Sequence, residues 1–118
     1  MSLRCLIVDD NASFLQAAST LLARQGLTVA GVASNAADAL RLARELRPDV
    51  VLVDIVLGGE SGFDVARQLV AGDGGGPAVI LVSTHAQTDF ADLINEAPAA
   101  GFVPKSELSA EAIRQLVG

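Results

Sequence analysis

Five short apolar runs, each followed by a helical pattern, constrain this chain more than any other feature. The runs occupy residues 5–8, 28–32, 50–53, 78–82 and, more weakly, 101–103. Phe14, Ala17, Ala18, Leu21 and Leu22 recur at helical spacing after the first run, and Ala36, Ala39, Leu40, Ala43 and Leu46 after the second. Phe63, Ala66, Leu69 and Val70 follow the third run. Phe90, Leu93, Ile94 and Ala97 follow the fourth, with Pro98 to stop them. A short pattern over 108–117 closes the chain. Asn35 is placed to cap the second helix, with Asp38 in its first turn. Gly26 and Pro48 stand where the first two helices should end. Strict β-α alternation implies an α/β fold, a parallel sheet with helices on both faces. Strands covered on both faces should read as unbroken apolar runs, and the first, third and fourth do.

Right-handed crossovers then bring the carboxyl ends of all five strands to one edge of the sheet, where open sheets of this kind bind ligands. The residues just past the runs are telling. Asp9 and Asp10 follow the first, Asp54 the third, Ser83 and Thr84 the fourth, and Lys105 the fifth. Three crowded carboxylates repel one another, and a hard divalent cation such as Mg²⁺ relieves that repulsion. With the charge balanced, a carboxylate can attack phosphorus while the cation and Lys105 neutralise the oxygens of the transferring group. A Ser83 hydroxyl can bond an oxygen of the product. Taken singly, each residue has a plainer role: Asp9 and Asp10 as a helix cap, Asp54 as a strand end, Ser83 as a turn former, Lys105 as a solvated loop lysine. Their convergence at one edge favours the chemical reading. Phe102 reads singly as core filler, Cys5 as a core residue, and Arg41, Arg44 and Arg47 as a solvated helix face. His85 falls at the rim of the pocket beside Thr84.

The 118 residues suffice for one domain, 1–118, burying roughly two-thirds of the unfolded surface. With no Trp or Tyr and four Phe, the core must be built from aliphatic side chains. A net charge of −6 argues against a broad nucleic-acid interface, which needs a basic face. A single cysteine fits a reducing compartment. No apolar stretch approaches ~20 residues and no signal pattern opens the chain, so the expectation is a cytoplasmic protein that does not enter a membrane.

The chain resembles the receiver domain of two-component response regulators. The resemblance rests on "VDD" at 8–10, "VLVDI" around Asp54, Gly62 eight residues later, "LVST" at 81–84 and "GFVPKSEL" at 101–108. It implies a flavodoxin-like doubly wound sheet of five parallel strands in the order 2-1-3-4-5, with five helices. It also implies that Asp54 is the phosphoacceptor for a sensor histidine kinase or phosphotransfer protein. Asp10 would ligate Mg²⁺ directly and Asp9 mostly through water, with Asp54 and the Val56 carbonyl completing the protein ligands. Ser83 and Phe102 match the switch pair, and Lys105 matches the lysine that pairs with the phosphoryl group. Pro104 would precede Lys105 through a cis bond. The face made by the fourth helix, fifth strand and fifth helix would serve a homodimer or an output domain, and the "GFVPKSEL" ending is similar to receivers joined to DNA-binding transcription regulators. Three positions depart from the pattern. Gly58 stands where Pro is frequent, which suggests a looser loop. Thr84 stands where Ala or Gly is usual, and the fourth helix looks short.

The alternative is a phosphatase or phosphotransferase of the haloacid dehalogenase type, which also pairs an Asp nucleophile with Mg²⁺. That chemistry places a second Asp two residues on, and here the position holds Val56. A nucleotide-binding module is disfavoured because no glycine-rich phosphate loop follows any strand.

Overall fold

A computed structural model describes residues 3–70, 76–84 and 91–117. Strand β1 (Arg4–Val8) leads into helix α1 (Ala12–Arg24), followed by β2 (Thr28–Ala33), α2 (Ala36–Leu46) and β3 (Val50–Asp54). Two short strands, β4 (Val56–Leu57) and β5 (Glu60–Ser61), precede α3 (Gly62–Val70). Then come β6 (Ala78–Ser83), α4 (Ala91–Glu96), β7 (Gly101–Pro104) and α5 (Ala110–Val117). The helix starts follow from local chemistry. Asn11 caps α1 by accepting from the Phe14 amide at 3.1 Å, and Asn35 caps α2 by accepting from the Asp38 amide at 2.8 Å. Helix α2 ends at Arg47 in the left-handed region (φ 48°), one residue before Pro48 blocks continuation.

The main sheet runs β2-β1-β3-β6-β7, all neighbours parallel. This is the expected order 2-1-3-4-5, with the β4–β5 hairpin lying outside the sheet. Central strands β1, β3 and β6 are buried almost throughout, whereas edge strand β2 is largely half-exposed. The weaker apolar character of the second and fifth runs is therefore an edge effect.

Side chains alternate across the sheet with period two, and the alternation sorts the core into two layers. Leu6, Val8, Val51, Val53, Val79 and Leu81 pack with Ala39, Phe63, Ala66 and Ile94 on the α2–α3–α4 side. Cys5, Ile7, Val50, Leu52, Ile80 and Val82 pack with Ala18, Leu22 and Ile113 on the α1–α5 side. Each fully buried Leu, Ile or Val contributes about 1.5–3 kcal/mol, so this doubly covered sheet is the main source of stability. Cys5 belongs to the core as expected; burial pushes its thiol up to about 12.

Three expectations need correction. The loop after Asp54 is not loose: Val56 pairs with Ser61 and Leu57 with Glu60 around a two-residue turn at Gly58 and Gly59. Gly58 takes φ +58°, a conformation closed to the Pro often found there. No cis peptide bond occurs among the described residues, so the bond before Pro104 is trans. Pro104 closes β7 in register with Ser83, and its extended backbone (φ −60°, ψ 141°) continues the strand directly into Lys105. The last helix begins at Ala110 rather than 108. Lys105–Glu107 form a 3₁₀ turn, Leu108 is extended, and Ser109 caps α5 by accepting from the Ala112 amide at 3.0 Å. Of helix α4, Ala91–Glu96 are described, and Phe90, counted with its pattern, lies outside the described residues.

Candidate functional site

Strand alternation explains which side chains meet. Asp9 continues the parity of Cys5 and Ile7, and Asp54 that of Val50 and Leu52; Lys105 continues the parity of Val103, another member of the α1–α5 layer. All three therefore emerge on the α1–α5 side of the carboxyl edge. Ser83 continues the parity of Val79 and Leu81, so it belongs with Phe102 on the opposite side.

The two carboxylates and the ammonium form one cluster. Lys105 Nζ lies 3.0 Å from Asp54 Oδ2 and 2.5 Å from Asp9 Oδ2. Asp9 is fully buried; its Oδ1 accepts from the Asn11 amide at 2.8 Å, while its Oδ2 receives no directed hydrogen bond and meets the ammonium as an ion pair. Asp54 is 6% exposed, and its Oδ1 accepts from the Val56 amide at 3.1 Å. Ligand atoms of Asp9, Asp10 and Asp54 lie within 4.8 Å of one another, with Asp10 at the solvent side.

This set fits a small hard cation. Three carboxylates face one another with a single ammonium against two of them, which leaves an excess of negative charge that a divalent ion balances. The electrostatics are correspondingly tense. Burial raises the Asp54 pKa above its ordinary value, and the nearby Asp9 charge adds to the rise. The hydrogen bonds from Lys105 and the Val56 amide pull the other way. Burial lowers the Lys105 pKa, but its contacts with Asp9 and Asp54 outweigh burial and leave it raised.

The backbone around Asp54 is closely packed. The Gly62 amide donates to the Ile55 carbonyl at 2.8 Å, and a Cβ at Gly62 would stand only 2.0 Å from the Asp54 carbonyl oxygen. Glycine is required there because α3 starts directly against the end of β3. On the opposite side, Ser83 is buried and Phe102 is half-buried against the α2–α3–α4 layer. Thr84 is exposed next to Ser83, and Val56 is 44% exposed beside Asp54. His85, expected at the rim, lies outside the described residues.

Two contacts were not anticipated from the sequence. Phe14, counted there as part of an apolar helix face, lies with its ring centroid 4.3 Å from Lys105 Nζ. Glu60, on the hairpin after Asp54, reaches across to accept from the Ala36 amide at 2.9 Å. An aromatic in the first turn after an Asp pair was a usable signal for the first contact; the second depends on a hairpin too short to leave one.

The family model described as "Response regulator receiver domain" matches residues 5–117. The DNA-binding response regulator MtrA of Mycolicibacterium paratuberculosis is 43% identical over 94 residues, covering 80% of this chain and 40% of MtrA. The response regulator GacA of Pseudomonas aeruginosa is 35% identical over 120 residues, covering 97% of this chain and 55% of GacA. The chain thus spans about half the length of these curated relatives. A two-component response regulator of the LuxR family from Aurantimonas superposes with a TM-score of 0.88 at 30% identity, covering 99% of this chain and 86% of that one. The signal receiver domain of NarL from Mycobacterium tuberculosis does so with 0.85 at 26% identity, covering 99% and 98%.

Proposed function

The chain belongs to the response regulator receiver domain family of two-component signalling, and on that premise we propose that Asp54 accepts a phosphoryl group from a sensor histidine kinase or phosphotransfer protein. The observation that carries this reading is the cluster itself: Asp9, Asp10 and Asp54 within 4.8 Å, with the Lys105 ammonium against two of them. A carboxylate oxygen of Asp54 forms the new O–P bond as the P–N bond to the donor imidazole breaks, and the electron pair returns to the ring nitrogen. Lys105, held against Asp54, neutralises charge on the transferring oxygens. Asp9, Asp10 and Asp54, with the Val56 carbonyl, would hold Mg²⁺, which when bound supplies further charge neutralisation at those oxygens. The Val56 amide orients Asp54 through Oδ1.

Residues 1–118 form one receiver domain in this reading, a switch and not a turnover enzyme. Its only chemistry is acceptance of the phosphoryl group and slow self-hydrolysis. Ser83 then bonds the phosphoryl group, and Phe102, on the same side of the sheet, repacks with it. The face made by α4, β7 and α5 transmits that change to a second copy or to an output domain, while this domain itself contacts neither nucleic acid nor membrane. Cytoplasmic placement follows from the kinase partnership, and no helix among the described residues is long and apolar enough to cross a membrane. The haloacid dehalogenase alternative has no support: Val56 stands where its acid-base Asp is needed.

The test is labelling with acetyl phosphate, followed by intact mass. The native chain should gain one phosphoryl group in Mg²⁺, little in EDTA, and none as the Asp54→Asn variant. Labelling that survives Asp54→Asn, or that is complete in EDTA, overturns the assignment.

A further inference from the structure

Lys105 ends a four-carbon chain with free rotation about every bond, yet its side chain is only 13% exposed and its ammonium is held at a defined point. Two carboxylates account for two directions of approach. The Phe14 ring lies against the ammonium as well, with its centroid 4.3 Å from Nζ, well inside the range in which a ring face attracts a cation. The ring is itself fixed. Phe14 sits in the first turn of α1, its amide is bound by the Asn11 cap, and its side chain packs on the α1–α5 layer. The same short segment therefore supplies the Asp pair, the cap and the ring.

We propose that Phe14 is a positioning residue for phosphoryl transfer, holding the Lys105 ammonium over Asp54 by a cation–π contact and shielding it from water. The proposal rests on the phosphoacceptor reading above and adds to it a residue that touches neither the phosphoryl donor nor a metal. Without the ring, the ammonium keeps its charge but samples solvent-directed rotamers, so the fraction of chains with Lys105 in place falls. Loss of a partly desolvated cation–π contact should slow transfer about 3- to 10-fold.

Three variants and one analogue series decide the matter, all followed by the rate of labelling with acetyl phosphate at fixed Mg²⁺. Phe14→Leu, which keeps the apolar volume and removes the ring, should be slowed by that factor, and Phe14→Trp should retain the native rate or exceed it. In a Lys105→Ala background, Phe14→Leu should have no further effect, because the ring acts only through the ammonium. Site-specific replacement of Phe14 by phenylalanines carrying successively more ring fluorines keeps shape while draining the face of negative charge, and the rate should fall stepwise along the series. A flat fluorination series, or an equal loss from Phe14→Leu with and without Lys105, overturns the proposal by reducing Phe14 to packing. Absence of any labelling of the native chain at Asp54 overturns the parent reading instead, and this proposal with it.

Discussion

Substituting Gly62 by Ala should damage both the fold and the site, and the structure sets the size of the effect. The new methyl carbon would lie 2.0 Å from the Asp54 carbonyl oxygen, 2.8 Å from its carbonyl carbon and 2.9 Å from Ile55 Cα, whereas ordinary contact begins near 3.4 Å. All three obstacles are backbone atoms, so no side chain can swing away. The Gly62 amide is also tied to the Ile55 carbonyl at 2.8 Å, so α3 cannot retreat from β3 without losing that bond. Overpacking of this kind costs roughly 3 kcal/mol, offset by at most about 1 kcal/mol from the better helix propensity of Ala. At about 2.1 cal/mol/K of unfolding entropy per residue, a net loss of ~2–3 kcal/mol lowers the melting temperature of this chain by about 8–12 °C. The control is Gly59→Ala, three residues away, where an added methyl meets nothing within 4 Å; its effect should stay within ~0.5 kcal/mol. Thermal melts by far-UV circular dichroism on both variants give the comparison. The Gly62→Ala chain should also label more slowly with acetyl phosphate, since the peptide of Asp54 must shift. A Gly62→Ala melting point indistinguishable from that of Gly59→Ala would refute the reasoning.

Other outcomes follow from the same geometry. Lys105→Met should cost ~3 kcal/mol at neutral pH by leaving Asp9 and Asp54 without their ammonium, and Mg²⁺ should restore much of it; melts with and without the ion test this. The Lys105 pKa is raised on folding, so its contribution is complete below the ordinary value of 10.5 and is lost as pH rises through the folded value. The native chain should therefore lose stability faster than Lys105→Met in alkaline melts, Cys5 being common to both, and parallel declines would contradict the pairing. Thr84→Ala should speed both labelling and loss of the phosphoryl group ~3- to 10-fold if the β-branched Thr84, exposed next to Ser83, narrows the approach of an in-line water to Asp54; unchanged rates with an intact fold would show that access is not limiting. Beryllofluoride should perturb amide signals of α4 and β7 through Ser83 and Phe102, and shifts confined to the neighbours of Asp54 would mean that the change does not travel through that face.

The parallel sheet was legible because two-sided burial leaves unbroken apolar runs, and the order of Asp9, Asp54 and Lys105 along the chain became geometry as soon as the strands were parallel. What escaped were features that leave no periodic trace. A hairpin with two residues on each side carries too few side chains for alternation to register, and Gly58 reads as a gap in a pattern until its positive φ is seen. The start of α5 was displaced because Leu108 is apolar and falls on the helical spacing, while the competing Ser109 cap and the 3₁₀ turn before it act through single hydrogen bonds. The trans bond before Pro104 depends on β7 running straight on, a tertiary fact. Phe14 was visible but was assigned to packing, since periodicity cannot tell a ring that fills a core from one that also faces a cation.

The bond from Glu60 to the Ala36 amide gives the molecule an internal gauge. The first amide of a helix ordinarily points into water with no partner, and here it is held by a side chain 24 residues away on the hairpin that leaves Asp54. Its hydrogen exchanges with solvent only when the carboxylate lifts off, so exchange at this one amide counts the excursions of the hairpin. A single peak in a proton–nitrogen spectrum thus becomes a clock for motion at the edge of the acidic cluster.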